Sequence, residues 1–150
     1  TDRPWPAPLT KGATAMKWAV GVLLLTVVAE GMIGSQIREI TDELAKAHVG
    51  ESRSLWIGEL EQSWIYLFHR SFSWAVLIAT FVAYWFASHN REGGVGKVER
   101  TVMGIVVAQM ILGITMSQIH IYEWVQVLHV GLAAVLLSLV CVWWMGLRKA

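Results

Sequence analysis

The sequence predicts an all-α fold: an integral-membrane four-helix bundle built from two similar helical hairpins, with both termini on the cytoplasmic or matrix side. Three observations carry that expectation. The chain has 150 residues, 55% of them apolar and only 15% charged, whereas a soluble domain of this size carries about a quarter charged residues. Its apolar residues gather into four long runs, each near the ~20 residues that one membrane crossing requires. Two histidines, His69 and His129, stand at matching depth inside the second and fourth runs. Mean hydropathy is +0.51. The length argues for a single domain over residues 1–150.

The first crossing is expected over about 16–35, with Lys17 at one end and Glu30 as its only deep charge. A polar connection over 36–62 follows, holding Arg38, Glu39, Asp42, Glu43, Lys46, Glu51, Arg53, Glu59 and Glu61. Its middle, Glu39 to Ala47, has the composition of a short surface helix. The second crossing, 63–88, is long enough to tilt or project. A short loop with Gly93, Gly94 and Gly96 leads to the third crossing at 101–117, and a tight connection leads to the fourth at 124–147. The N-terminal arm is polar and Pro-rich (Pro4, Pro6, Pro8) and lacks the apolar core and cleavage site of a signal peptide. A start at Thr1 fits methionine removal or a longer chain.

Lysine and arginine placement sets the expected orientation. Arg3, Lys11 and Lys17, then Arg91, Lys97 and Arg100, then Arg148 and Lys149 all fall on one side. Arg38, Lys46 and Arg53 on the other side are outnumbered by acids. Tryptophans agree, with Trp64 and Trp124 at the outer interface and Trp18, Trp85, Trp143 and Trp144 at the inner one. The expected setting is membrane lipid, with the prokaryotic plasma (inner) membrane as the expected location. A net charge of +1 gives no reason to expect nucleic acid as a partner. The single cysteine, Cys141, cannot form an internal disulfide or a thiolate cluster and reads as a small apolar packing residue.

An internal repeat links the halves. Gly31-Met32-Ile33-Gly34-Ser35-Gln36-Ile37 resembles Gly113-Ile114-Thr115-Met116-Ser117-Gln118-Ile119, and Phe68-His69 parallels Leu128-His129. Under that alignment Glu30 corresponds to Leu112 and stands outside the symmetric set. In an up-down bundle the second and fourth helices are diagonal neighbours roughly 12–14 Å apart, a span that two imidazoles can bridge around one iron. His69 lies six residues after Ser63, and His129 five after Trp124. Ionisable groups inside a membrane are costly and usually functional, so His69 and His129 read as candidate metal ligands on a bis-histidine haem. A hydrogen-bonded structural pair or a non-haem metal are the other readings. Gly31, Gly34 and Gly113 supply small positions for a porphyrin, or ordinary close helix packing. Arg70 and Arg38 are candidates for haem propionates, through the fork geometry of guanidinium on carboxylate, or for snorkelling. Glu30 is a candidate for proton handling or for pairing with Arg70. His48 and His120 read as solvated loop residues.

Taken together, Gly34-Ser35-Gln36-Ile37-Arg38-Glu39, Phe68-His69-Arg70-Ser71-Phe72, Gln109 through Gly113-Ile114-Thr115, and Leu128-His129-Val130-Gly131-Leu132-Ala133 resemble the heme A synthase family. Members of that family usually have eight membrane helices in two four-helix halves, each half with a histidine pair. The resemblance covers one half, from about Met16 to Leu147. It implies an oxidoreductase that converts the C8 methyl of haem O to a formyl group, one half holding substrate haem and the other a resident b-type haem. A homo-oligomer would restore the missing half. The substrate-binding half carries a glutamate three residues before its first histidine, where this chain has Tyr66. It also often carries a cysteine pair in the first outer loop, absent from 36–62. Both departures align the chain with the cofactor-binding half. The alternative is a non-catalytic, b-type cytochrome-like subunit of a larger membrane complex, with haem for electron transfer or structure.

Overall fold

The computed structural model describes residues 12–91, 94–119 and 121–148. Arg3 and Lys11 with the Pro-rich arm, Gly93, His120 and Lys149 lie outside the described residues. Five helices follow in order: α1 (Ala13–Ala47), α2 (Arg53–Gln62), α3 (Trp64–Asn90), α4 (Lys97–Gln118) and α5 (Glu123–Arg148). All except α2 are long and apolar enough to cross a membrane.

The first crossing does not end where its apolar run ends. α1 continues to Ala47, 35 residues in all and about 50 Å at 1.5 Å per residue, well beyond a ~30 Å hydrocarbon core. Nothing between Gln36 and Ala47 breaks a helix: the stretch has no Gly or Pro, and Arg38 pairs with Asp42 one turn on. Ile33, Ile37, Ile40, Thr41 and Leu44 face inward along this extension. Gly50, at φ 91°, makes the reversal into α2. Ser63, extended at φ −66° and ψ 140°, separates α2 from α3 and accepts from the Tyr66 amide as an N-cap.

α1 packs on α3 and α5, and α4 on α5 and α3, so α3 faces α5 across the bundle and α1 faces α4. The packing follows four stripes, of 4-3-4 spacing on α1, α3 and α5 and four residues apart at the start of α4. On α1 it is Met16, Val20, Leu23 and Val27; on α3 Val76, Thr80, Ala83 and Ala87; on α4 Val98, Val102 and Val106; on α5 Leu136, Val140, Trp143 and Leu147. This is the seam period of knobs-into-holes bundles. The small α3 residues let α1 approach closely, as helices in lipid require. Apart from Thr80, these residues form one buried apolar cluster. A second cluster at the α2 end joins Ile37, Trp56, Ile57, Leu60, Ile65 and Ile121.

At the end away from α2, Arg91 Nη1 donates to Glu99 Oε1, and both side chains are 1% exposed. The pair ties the end of α3 to the start of α4. Gly96 makes room for it, since a Cβ there would fall 2.5 Å from Glu99 Oε2. Breaking one member of a buried ion pair costs about 3–5 kcal/mol, whereas replacing both with apolar residues costs little. Glu99→Gln should therefore lower the thermal unfolding midpoint in detergent substantially, and the Arg91→Met/Glu99→Leu double variant should recover most of the loss. Equal destabilisation by both would show that the pair does not hold this junction.

Candidate functional site

The core stripes do not stop at the inner cluster; they change character. Continuing the 4-3-4 spacing brings α1 from Val27 to Glu30, Gly34 and Ile37. It brings α3 from Val76 back to Phe72, His69 and Ile65, α4 from Val106 to Gln109, Gly113 and Met116, and α5 from Leu136 back to Leu132, His129 and Val125. Between the two apolar clusters, residues 28–36, 66–75, 107–119 and 126–135 include no buried residue among them. This layer is about 14 Å thick along α1. Its inward positions include a carboxylate, two imidazoles, an amide and two glycines where the rest of the bundle has mostly Val, Leu and Ala.

His69 and His129 meet across the diagonal, their ring centroids 6.3 Å apart and their planes at 86°. Glu30 Oε1 lies 3.1 Å from His69 Nδ1. The oxygen is off the line of the N–H, so Nδ1 makes no aligned hydrogen bond. Glu30 Oε2 and His129 Nδ1 are buried without a partner. Gln109 Nε2 donates to the backbone carbonyl of His129 at 2.9 Å, leaving Gln109 Oε1 buried and unpaired. Four unsatisfied polar atoms in one layer are far above the usual rate for a folded core. Among the described residues, no group of three or more His, Cys, Asp or Glu side chains is placed to hold a metal ion.

The other residues singled out from the sequence divide. Gly34 faces the pair, and a Cβ on it would sit 3.7 Å from His69 Cε1. Nothing lies within 4 Å of a Cβ on Gly31, which is exposed on the bundle surface, or on half-buried Gly113. Arg38 is exposed and bonded to both carboxylate oxygens of Asp42, at 3.2 and 3.3 Å. Arg70 is exposed on α3. Glu30 pairs with His69 instead of Arg70, because His69 occupies the inward position of α3 while the next residue turns outward.

The model of one protein family, described as cytochrome oxidase assembly protein, matches residues 2–141. The chain belongs to the COX15-CtaA family. No curated protein matches significantly. No solved structure matches significantly either. The match reaches into all four crossings and includes both histidines. This COX15-CtaA chain is thus an integral membrane protein of the heme A synthase family.

Sequence reasoning missed three features of this family member. Packing pairs Glu30 with Gln109 and Gly34 with Gly113, a register three residues away from the letter-by-letter repeat that paired Glu30 with Leu112. The spacing of the core positions is the signal that finds it: Leu23, Val27, Glu30 and Gly34 run parallel to Val102, Val106, Gln109 and Gly113. The second feature is α2, whose mixed charge concealed its buried Trp56, Ile57 and Leu60. The third is His48, which is held, not free: Nδ1 is 3.0 Å from Glu51 and Nε2 is 3.1 Å from Glu59, with the ring parallel to Trp56.

α2 caps the polar layer. Arg53 joins it to α5 by donating to Gln126 Oε1 at 2.9 Å, with Glu123 at 3.8 Å and the Trp56 ring 5.5 Å away. A cation over an aromatic face plus one charged hydrogen bond is worth about 1–3 kcal/mol. Arg53→Ala should accelerate amide exchange across 53–62 by about tenfold while leaving the crossings protected. Unchanged exchange there would show that the apolar contacts alone hold the cap.

Proposed function

We propose that this chain binds one haem through His69 and His129 and serves haem A formation in cytochrome oxidase assembly. The observation that carries the reading is the polar, glycine-lined layer at the centre of otherwise regular core stripes. Two imidazoles on one first-row metal, each nitrogen about 2 Å from the ion, have ring centres about 6 Å apart. The 6.3 Å separation fits that requirement. The orphaned Nδ1 and carboxylate atoms and the open space beside half-buried Gly113 fit a flat group with polar ligands at its centre. Two protein ligands are what a macrocycle-bound iron asks of a helical bundle.

Each residue then has a task. His69 and His129 hold the iron from diagonal helices. Gly34 and Gly113 keep α1 and α4 clear of the ring. Arg70, exposed on the turn next to His69, is available for a propionate, and Arg38 reaches one by exchanging Asp42. The cluster of Trp56, Ile57, Leu60 and Ile121 excludes water from one end of the layer, and Val27, Val76, Val106 and Leu136 from the other. The haem supplies one-electron chemistry when bound. By the family's activity, the oxidation served is that of the haem O methyl to a formyl group, with a second copy or a larger membrane complex completing the site. The same reading includes a single domain, a prokaryotic inner-membrane location and cytoplasmic termini.

A specific observation favours the second reading, a non-catalytic b-type cytochrome-like subunit. Tyr66 stands one turn before His69, and Glu30, the one carboxylate among the layer's inward positions, is engaged by that histidine. Among those positions no acid is left over to act on a substrate. The two readings part on turnover. Purified protein supplied with haem O and its redox partner should form haem A, detected by chromatography; no product would leave the cytochrome reading. Under either, His69→Ala and His129→Ala should each abolish the low-spin haem spectrum. Its persistence in either variant would refute the axial pair.

A further inference from the structure

The two histidines are related by the repeat, yet their surroundings are not. His69 Nδ1, although it makes no aligned hydrogen bond, has the Glu30 carboxylate at 3.1 Å, and Glu30 has no competing partner among the described residues. His129 Nδ1 is buried with no acceptor at all. The polar side chain tied to His129 is Gln109, and it engages the backbone carbonyl, not the ring. In the packing register the position matching Glu30 on the opposite hairpin is that same Gln109, so equivalent core positions carry a carboxylate on one side and an amide on the other.

Metal-bound imidazole normally donates its second N–H to a carboxylate or carbonyl, which fixes the tautomer, orients the ring and raises the basicity of the coordinating nitrogen. An imidazole lacking that acceptor holds a buried, unsatisfied N–H whenever it coordinates, and a stranded donor in a dry interior is costly. We propose that Glu30 is a positioning residue that makes the axial ligands unequal. His69 is the persistent ligand, committed to Nε2 coordination by Nδ1–H donation to Glu30. His129 is the displaceable one, and its side of the haem is where a small exogenous ligand binds. This inference rests on the bis-histidine reading above and adds to it the side that opens.

Haem-loaded full-length protein tests it, with haem per chain and carbon monoxide binding to the reduced protein as readouts. His129→Ala should retain most of its haem, lose the six-coordinate signature and bind carbon monoxide readily. His69→Ala should lose haem affinity by at least the about 10–100-fold that mutation of a ligand's hydrogen-bond partner costs. Glu30→Leu should lower haem affinity within the same range, and in that background His69→Ala and His129→Ala should lose haem to similar extents. Glu30→Gln, nearly isosteric and still an acceptor, should fall between wild type and Glu30→Leu, with helical content and detergent monodispersity unchanged. Such graded rescue distinguishes positioning from a general packing role. Equal haem retention by His69→Ala and His129→Ala in the wild-type background would overturn the inequality, as would wild-type haem affinity in both Glu30 variants. Absence of a six-coordinate haem in the wild-type protein would instead remove the axial pair itself.

Discussion

Three ionisable side chains, Glu30, His69 and His129, meet between apolar helices, and the cost of keeping them there governs the rest of the structure. Groups of this kind are expensive inside lipid and persist where they face the bundle interior and find partners. The protein meets that condition by regular geometry. Each of the three occupies a position that its helix's own core stripe turns inward, so no distortion is needed to bring them together. The apolar clusters on either side then act as plugs. One is an ordinary membrane seam, largely of Val, Leu and Ala. The other needs material from outside the crossings, which is why α1 runs on to Ala47 and α2 folds back over it.

Much of this architecture is legible in the residues. Four apolar runs of crossing length specify four spans, and His69 and His129, one stripe position inside their helices, announce a shared layer. The boundaries were harder to read, for physical reasons. Hydropathy reports where a helix leaves the apolar phase, not where its hydrogen bonding stops; Gln36 to Ala47 is polar on one side and still a good helix, with Ile37 and Leu44 buried or half-buried on the other. In α2 only three inward residues are apolar, too few to stand out among Arg53, Glu59 and Glu61. Arg91 entered only the count of basic residues that sets the orientation, and its partner, Glu99, lies across a turn whose path the sequence does not reveal.

The site shows the same division. Glu30 was visible as a deep charge, but its partner was not. The one-residue difference between His69 and Arg70 is a rotation of about 100° on a helix, and it puts the imidazole inward and the guanidinium outward. Matching the repeat by letters also hid the relation between Glu30 and Gln109, because identity of Gly31 with Gly113 outweighed the spacing of flanking core residues. Packing register was the better guide. It replaces an unpaired acid outside the symmetry with two equivalent positions that differ in chemistry, and on the proposed reading that difference gives the paired histidines separate roles.

A haem held in the interrupted core between His69 and His129, as proposed, has a direct signature. The measurement is on the purified wild-type protein: haem per chain by pyridine haemochrome, with electron paramagnetic resonance of the oxidised form. The expected result is one haem per chain with a low-spin, two-imidazole signature. A protein purified from haem-replete cells without that signature, and unable to acquire it from added haem, would contradict this role for the pair.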